Sequence, residues 1–285
     1  STNDSGFRWI LGVFIEDQEL AYSTTYNMPA ISTSLTAVPG RWWKQDNVRE
    51  DSQKAIFGEG TWPINDKTDL TVGLRAYENQ ADFDAKDGYM GYYEDHPVLS
   101  WAAGRTEKYS KDFSDVSPKI NIAHTLNDDV LLYATYSEGF RPSGTNRLNR
   151  KARESGIVPA TYDSDTLTNF EAGFKSTLAD GKIVLNGNFH TMNWDDFQST
   201  SYIYDLLTVA FVQNVGQATI SGLELESYFN ISDSFSASLM IALTDPEFKE
   251  DIYDLQGELS TPKGNQLAYV PTEQFVMSMN KDFVI

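Results

Sequence analysis

The feature that most constrains the fold is a period-2 alternation of apolar and polar residues that recurs along the chain. Such alternation is the main sequence signal of a β-strand with one apolar face. We find no convincing amphipathic helix, so the sequence predicts an all-β protein. The alternating apolar sets are Phe7, Trp9, Leu11, Val13 and Ile15; Leu70, Val72, Leu74 and Ala76; Val130, Leu132, Ala134 and Tyr136; Ile183, Leu185 and Phe189; Leu223, Leu225 and Phe229; and Phe235, Ala237, Leu239, Ile241 and Leu243.

The connections between these strands alternate in length. Four tight ones, at 65–69, 127–129, 179–182 and 231–234, are rich in Asn, Asp, Gly and Ser, which favour turns. Between them we expect long irregular connections at 17–50, 80–108, 142–163, 198–213 and 245–269. Repeated loops of this length are uncommon in compact soluble domains. Because short and long connections alternate, all the long ones lie at the same end of the strands, and the fold has to explain this.

Composition removes several classes of protein. The chain has 285 residues and a net charge of −19, which argues against a nucleic-acid partner. Cysteine is absent, which excludes disulfides and cysteine-ligated metals within the chain. The densest apolar run, Trp9–Ile15, is far shorter than the ~20 residues of a membrane-spanning helix. A membrane location is compatible only with a β-barrel, whose strands need about 9–11 residues each.

Two architectures compete at this point. One is a soluble β-sandwich or propeller with long loops, and the other is an outer-membrane barrel with short periplasmic turns and long extracellular loops. Only the barrel explains why the long loops share one end. Aromatic residues near strand ends, among them Trp9, Trp62, Tyr133 and Trp194, also suit the aromatic girdles of such barrels. We therefore predict a transmembrane antiparallel β-barrel.

Several segments resemble TonB-dependent outer-membrane receptors. The stretch SPKINIAHTLNDDVLLYATYSEGFRPSGTN (117–146) resembles the central barrel region of that family, and NVGQATISGLELE (214–226) resembles a later strand. The segments 57–77 and 166–197 are similar to two further strand pairs. The resemblance implies part of a 22-stranded barrel closed by an N-terminal plug, and barrels of that size do have plugged lumens.

About ten strands are readable, so we expect residues 1–285 to be a barrel segment, with the plug domain and the final barrel strands not present. The resemblance implies active transport, energised by TonB, of a scarce ligand such as a ferric siderophore across the outer membrane of a Gram-negative bacterium. The implied partners are the TonB complex of the inner membrane, through a segment absent here, then lipopolysaccharide with outer-membrane lipid, and a small-molecule ligand such as an iron chelate. No cofactor is implied.

A cluster of cations follows one strand end and is the first candidate binding site. It comprises Arg141, Arg147, Arg150, Lys151 and Arg153. Arginine forms strong charge-assisted hydrogen bonds with anions, so the cluster could capture an anionic ligand at the extracellular mouth. Two alternatives stay open, namely contact with lipopolysaccharide phosphates and pairing with the many acidic residues of the loops.

Aromatic residues in the predicted loops are the second candidate. They are Trp42, Trp43, Tyr92, Tyr93 and Trp101. Such rings could stack on a flat ligand, or they could pack the loops against one another.

No catalytic constellation is visible, so we do not predict an enzyme. The three histidines, His96, His124 and His190, are too scattered for a metal site. One alternative is a complete small barrel similar to the omptin proteases, which work with extracellular Asp and His residues. Another is a receptor-like subunit of a larger surface assembly.

Overall fold

A computed structural model of the chain describes residues 6–27, 41–89, 105–148, 152, 155–203 and 209–283. No helix in this part of the chain is long and apolar enough to cross a membrane. The strands are β1 (Arg8–Asn27), β2 (Arg41–Asn65), β3 (Thr68–Tyr89), β4 (Arg105–Asn127), β5 (Val130–Arg141), β6 (Gly144–Thr145), β7 (Thr161–Tyr162), β8 (Asp165–Leu178), β9 (Ile183–Asp195), β10 (Gln198–Ile203), β11 (Val209–Asn214), β12 (Ala218–Ser232), β13 (Phe235–Phe248), β14 (Ile252–Tyr253), β15 (Leu259–Thr261) and β16 (Glu273–Lys281).

Ten of these strands form one sheet in the order β1-β2-β3-β4-β5-β8-β9-β12-β13-β16. Every neighbouring pair in this sheet is antiparallel. Within the described residues β1 and β16 are its two edges. The short strands form three small antiparallel pairs, β6–β7, β10–β11 and β14–β15. The prediction of an all-β antiparallel fold is confirmed.

Four tight turns connect strands at the same end of the large sheet, which we call the turn end. They lie at residues 66–67, 128–129, 179–182 and 233–234, as the sequence predicted. The Asn65 and Asn127 side chains accept hydrogen bonds from backbone N–H groups two residues on, at 2.9 and 3.0 Å. In the third turn the backbone at Ala179, Asp180 and Gly181 has positive φ. The opposite end of the sheet is the loop end.

The two faces of the sheet differ in chemistry across the strands from β5 to β16. One continuous cross-strand row is apolar: Leu132, Phe174, Gly187, Leu225, Ile241 and Phe275. The neighbouring row on the other face is mostly polar: Tyr133, Gly173, Asn188, Glu224, Ala242 and Gln274. We call these the outer and inner faces. The outer face leaves large apolar side chains exposed, Phe275 at 66 % for example, as in a sheet whose outer surface contacts lipid.

The prediction of long irregular connections at the loop end was wrong over much of their length. β1 continues to Asn27 and β2 begins at Arg41, while β3 extends to Tyr89 and β4 begins at Arg105. Residues 198–213 fall largely in the hairpin β10–β11, and β13 runs on to Phe248. The outer face of these extensions is polar, with Glu19, Glu50 and Asp82 in one cross-strand row, whereas parts of their inner face are buried, as at Gln45 and Phe83. They therefore lack the outward apolar row on which the sequence prediction rested.

A small apolar core lies at the loop end, away from the apolar outer face. It is formed by Leu148, Ala152 and Val158 from the β5–β8 connection and by Ile203 and Phe211 from the hairpin β10–β11. Ala160 and Leu255 pack against it. Three connections are thus joined into one packed unit above the sheet.

Candidate ligand-binding site at the loop end

The candidate site forms where the chain leaves β5 and turns to the inner face. Pairing between β4 and β5 ends at Lys119 opposite Ser137, although β4 itself extends back to Arg105. Above that level the chain after β5 is free to cross the inner face of β1–β4. Residues 142–148, which we call the inner strap, take this course. Lys111 of β4 pairs with Asp163 of the same connection at 2.5 Å.

An ion pair fixes the root of the inner strap. The Arg141 guanidinium donates from Nε to both oxygens of Asp165, at 3.1 and 2.9 Å, and Nη2 donates to Oδ2 as well. The Asp165 side chain is fully buried. Its carboxylate also accepts hydrogen bonds from the backbone N–H groups of Arg141 and Gln198, at 3.2 and 2.9 Å. The ends of β5, β8 and β10 therefore meet at one carboxylate.

The same arginine is held on two further sides. Its guanidinium carbon lies 4.5 Å from the centroid of Trp194 and 5.2 Å from that of Phe197, as in cation–π contacts. Nη2 also donates to the Gln198 carbonyl at 2.9 Å. Arg141 is thus paired with an acidic residue of the chain, which is one of the two alternatives to ligand capture. A role of Arg141 in ligand capture stays a prediction.

Arg147 has different surroundings. Its Nε donates to Gln45 Oε1 at 3.1 Å and its Nη2 to Thr24 Oγ1 at 3.2 Å. The guanidinium carbon lies 5.7 Å from the centroid of Tyr22. Arg147 is exposed, and no carboxylate of the described residues pairs with it. Neutral groups orient this cation and leave its charge available on the inner face.

Aromatic residues line the inner face beside Arg147. Trp43 lies on β2 opposite Tyr26 of β1, and the two rings meet edge to face with centroids 5.3 Å apart. Tyr22 and Tyr26 alternate with outward residues on β1, so they share the face of Thr24. The mouth of the inner face thus combines one exposed cation with three described rings.

The structure brings together only part of the predicted site. Trp42 is also on β2, but its side chain is outside the described part of the structure. Arg150, Lys151, Arg153, Tyr92, Tyr93 and Trp101 lie outside the described residues. Sequence reasoning missed Tyr22, Thr24 and Gln45. The spacing of two between Tyr22, Thr24 and Tyr26 could have identified them as one strand face.

A second arginine on the inner face lies deeper. Arg49 donates to Asp51 at 2.6 Å. Burial acts to lower the pKa of the Arg49 guanidinium, but the Asp51 carboxylate and the Tyr162 hydroxyl outweigh it, so the pKa is raised. Arg49 therefore stays charged and paired.

Among the described residues, no group of three or more His, Cys, Asp or Glu side chains could hold a metal ion. His124 shares a hydrogen bond of 2.9 Å with Thr68, and His190 one of 3.2 Å with Asn188. Both partners are neutral. Neither histidine therefore has the acidic partner that an omptin-like mechanism requires.

The chain is similar in sequence to known outer-membrane receptors. A family model described as "TonB dependent receptor-like, beta-barrel" matches residues 2–283. The pesticin receptor of Yersinia enterocolitica is 22 % identical over 266 residues, which is 92 % of this chain and 34 % of the relative. The chain thus spans about a third of that relative's length.

Two solved structures are similar in fold. The ferric yersiniabactin uptake receptor FyuA from Yersinia pestis has a TM-score of 0.74 at 18 % identity, over 99 % of this chain and 38 % of the other. The siderophore receptor PiuA from Acinetobacter baumannii has a TM-score of 0.65 at 17 % identity, over 96 % and 41 %. At these identities the likeness concerns the fold.

Proposed function

We propose that this chain, which belongs to the TonB-dependent receptor-like β-barrel family, is part of an importer of a scarce ligand such as a ferric siderophore. Barrels of this family are outer-membrane proteins of Gram-negative bacteria, and this chain is one of them. The family consists of transport receptors and not of enzymes. The loop end of the sheet is accordingly extracellular, and the turn end is periplasmic.

The wider organisation is part of the proposal. The ten-stranded sheet would belong to a barrel of 22 strands, with partner strands along β1 and β16. A plug domain would fill the space inside the inner face, and a TonB-binding segment outside this chain would couple it to the inner membrane. One of the similar structures is described as a ferric yersiniabactin uptake receptor and the other as a siderophore receptor, which supports an iron chelate as the ligand.

One observation carries the choice of ligand chemistry, and it is the setting of Arg147. Its exposed guanidinium faces the inner side of the mouth without a carboxylate partner among the described residues, beside Tyr22. A cation oriented by neutral groups and flanked by rings is suited to an anionic ligand with a flat aromatic or chelating part. Arg147 and Arg141 both face inward, whereas lipopolysaccharide would contact the outer face. We therefore assign the charge of Arg147 to ligand capture.

The test is uptake of ⁵⁵Fe-loaded siderophores of the catecholate, phenolate and hydroxamate types by cells that carry the natural full polypeptide. We expect energy-dependent uptake of an anionic chelate, abolished in cells without TonB while binding persists. Arg147→Ala should weaken binding of that chelate by about tenfold, as loss of a charge-assisted hydrogen bond does.

Lys54→Gln is the matched control, because Lys54 is an exposed cation on the outer face. It should leave binding unchanged. Uptake of no chelate by the wild-type protein would contradict the transport proposal. Equal binding by wild type and the Arg147 variant would contradict the capture role.

A further inference from the structure

A cavity of about 370 Å³ lies beneath the inner strap, deeper than Arg147. Its walls come from the inner face of β1–β3 on one side and from the root of the strap on the other. The lining includes Glu16, Arg49, Asn79, Arg141, Ser143 and Tyr162. We call this cavity the strap chamber.

Two residues that line the strap chamber from opposite sides have buried polar atoms without a partner. Asn79 on the sheet side is 5 % exposed and Ser143 on the strap side is 4 % exposed. The Nδ2 atom of Asn79 and the Oγ atom of Ser143 have no hydrogen-bond partner. Buried polar groups are nearly always satisfied in folded proteins. A hydrogen-bonding occupant of the chamber would give these two atoms the partners they lack.

The unpartnered atoms continue upward along the strap. Gln45 Nε2, both side-chain polar atoms of Asn47, and Thr145 Oγ1 are likewise buried and unpartnered. Gln45 and Asn47 share the inner face of β2 with Arg49. A track of buried polar atoms without partners thus joins the Arg147 site to the strap chamber.

The charges that line the chamber are already balanced within the chain. Arg49 is paired with Asp51, and Arg141 with Asp165. Glu16 has no cationic partner among the described residues. An anion in the chamber would compete with these carboxylates and would meet the charge of Glu16. The groups still without a hydrogen-bond partner are the Asn79 amide N–H and the Ser143 hydroxyl. Both are neutral, which suits an uncharged occupant.

We propose that the strap chamber binds an uncharged part of the transported ligand that is rich in amide or hydroxyl groups, while Arg147 binds the anionic part. This inference rests on the proposed function for its biological role. It adds to the ligand class a neutral polar portion that is amide-like or hydroxyl-like. The two subsites differ in charge and in depth, so a ligand would have to carry both chemistries on one molecule.

The experiment uses a pair of probes that differ in charge and hardly in shape, N-acetylglycinamide and N-acetylglycinate. Binding of each to the detergent-solubilised natural full polypeptide is measured by saturation-transfer NMR. We expect the neutral amide to bind at least fivefold more tightly than the anion. Asn79→Leu with Ser143→Ala should remove at least fivefold of the affinity for the amide. If this double variant does not fold, Ser143→Val alone is expected to lower that affinity at least twofold.

Thr191→Val with Ser221→Ala is the control, because these two hydroxyls bond each other at 3.0 Å on the outer face. Amide binding should be unchanged there. Equal binding of both probes, tighter binding of the anion, or amide binding unaffected by the chamber variants would overturn the proposal and leave ordered water as the occupant. Uptake of chelates is measured separately. Amide binding without any uptake would count against the proposed function alone.

Discussion

Glu138 lies on β5 two residues beyond Tyr136, where the outer apolar row of that strand ends. Burial raises the pKa of the Glu138 carboxyl, and the nearby carboxylates of Asp115 and Asp195 raise it further. The folded protein therefore binds this proton more tightly than the unfolded chain does. Ionisation of Glu138 as the pH rises through its folded-state pKa must lower stability.

Glu138→Gln replaces the ionised carboxylate with a neutral group of the same shape. We expect a higher midpoint of thermal unfolding than wild type at pH 7.5. The gain should shrink as the pH falls and vanish at about pH 3, well below the ordinary pKa of a glutamate, where the carboxyl is protonated in both states. Glu258→Gln is the control, since Glu258 is an exposed residue of a turn. A gain of equal size at both pH values would show that packing is responsible and not charge.

Asp165 shows which residue-level facts the sequence could not supply. The arginine cluster after β5 was visible, but its partner is 24 residues further along the chain. Sequence spacing offers no reason to choose this carboxylate among 41 acidic residues. The choice depends on β5 pairing with β8, which places Arg141 directly opposite Asp165. Residue pairs that depend on strand register become visible only when that register is known.

At the scale of elements, the tight turns and the strands within the apolar band could be predicted, and the extensions at the loop end could not. The alternation of Leu70, Val72 and Leu74 exists because one face meets lipid. Nearer the loop end of the same sheet, Glu50 of β2 lies directly opposite Asp82 of β3 on the outer face. Backbone pairing continues there without an apolar outer row, and only Ala81, Phe83 and Ala85 on the inner face of β3 alternate with charged residues. The candidate site is built on these extensions, which is why most of its contacts were missed.

The roots of the inner strap and of the hairpin β10–β11 meet at one buried carboxylate, that of Asp165. Asp165→Asn removes the charge that Arg141 pairs with while keeping the shape of the side chain. Arg141 itself is 42 % exposed and can be partly solvated, so we expect a loss of about 1–3 kcal/mol, confined to the loop end. Limited proteolysis within 142–164 should become faster, while the membrane-embedded part of the sheet stays protected.

Asp163→Asn is the matched control for that experiment. Asp163 pairs with Lys111 but its side chain is 69 % exposed, and exposed ion pairs contribute only about 0–1 kcal/mol. Its rate of cleavage should stay close to that of wild type. Equal acceleration in both variants would mean that the connection is loosened by any loss of charge, and that the buried clamp has no special role.

At the scale of the whole molecule, the contrast between the faces is what makes the sheet a membrane protein. Adjacent residues of β12 test it directly, because Leu223 belongs to the outer face and Glu224 to the inner face. Leu223 lies between Phe189 and Leu243 in an exposed apolar row. Glu224 accepts a hydrogen bond from Asn188 at 3.0 Å on the polar side.

Leu223→Arg places a guanidinium against lipid, which costs about 2–4 kcal/mol near the bilayer midplane. Glu224→Arg introduces the same side chain on a face that meets water or protein, where we expect a loss below about 1 kcal/mol. Folding of the natural full polypeptide into vesicles, followed by urea titration, measures both. If the two variants lost equal stability, the outer face would be buried against protein and not against lipid. If Glu224→Arg lost more, the assignment of the faces would be reversed, and Arg147 would then point towards the membrane surface instead of the lumen.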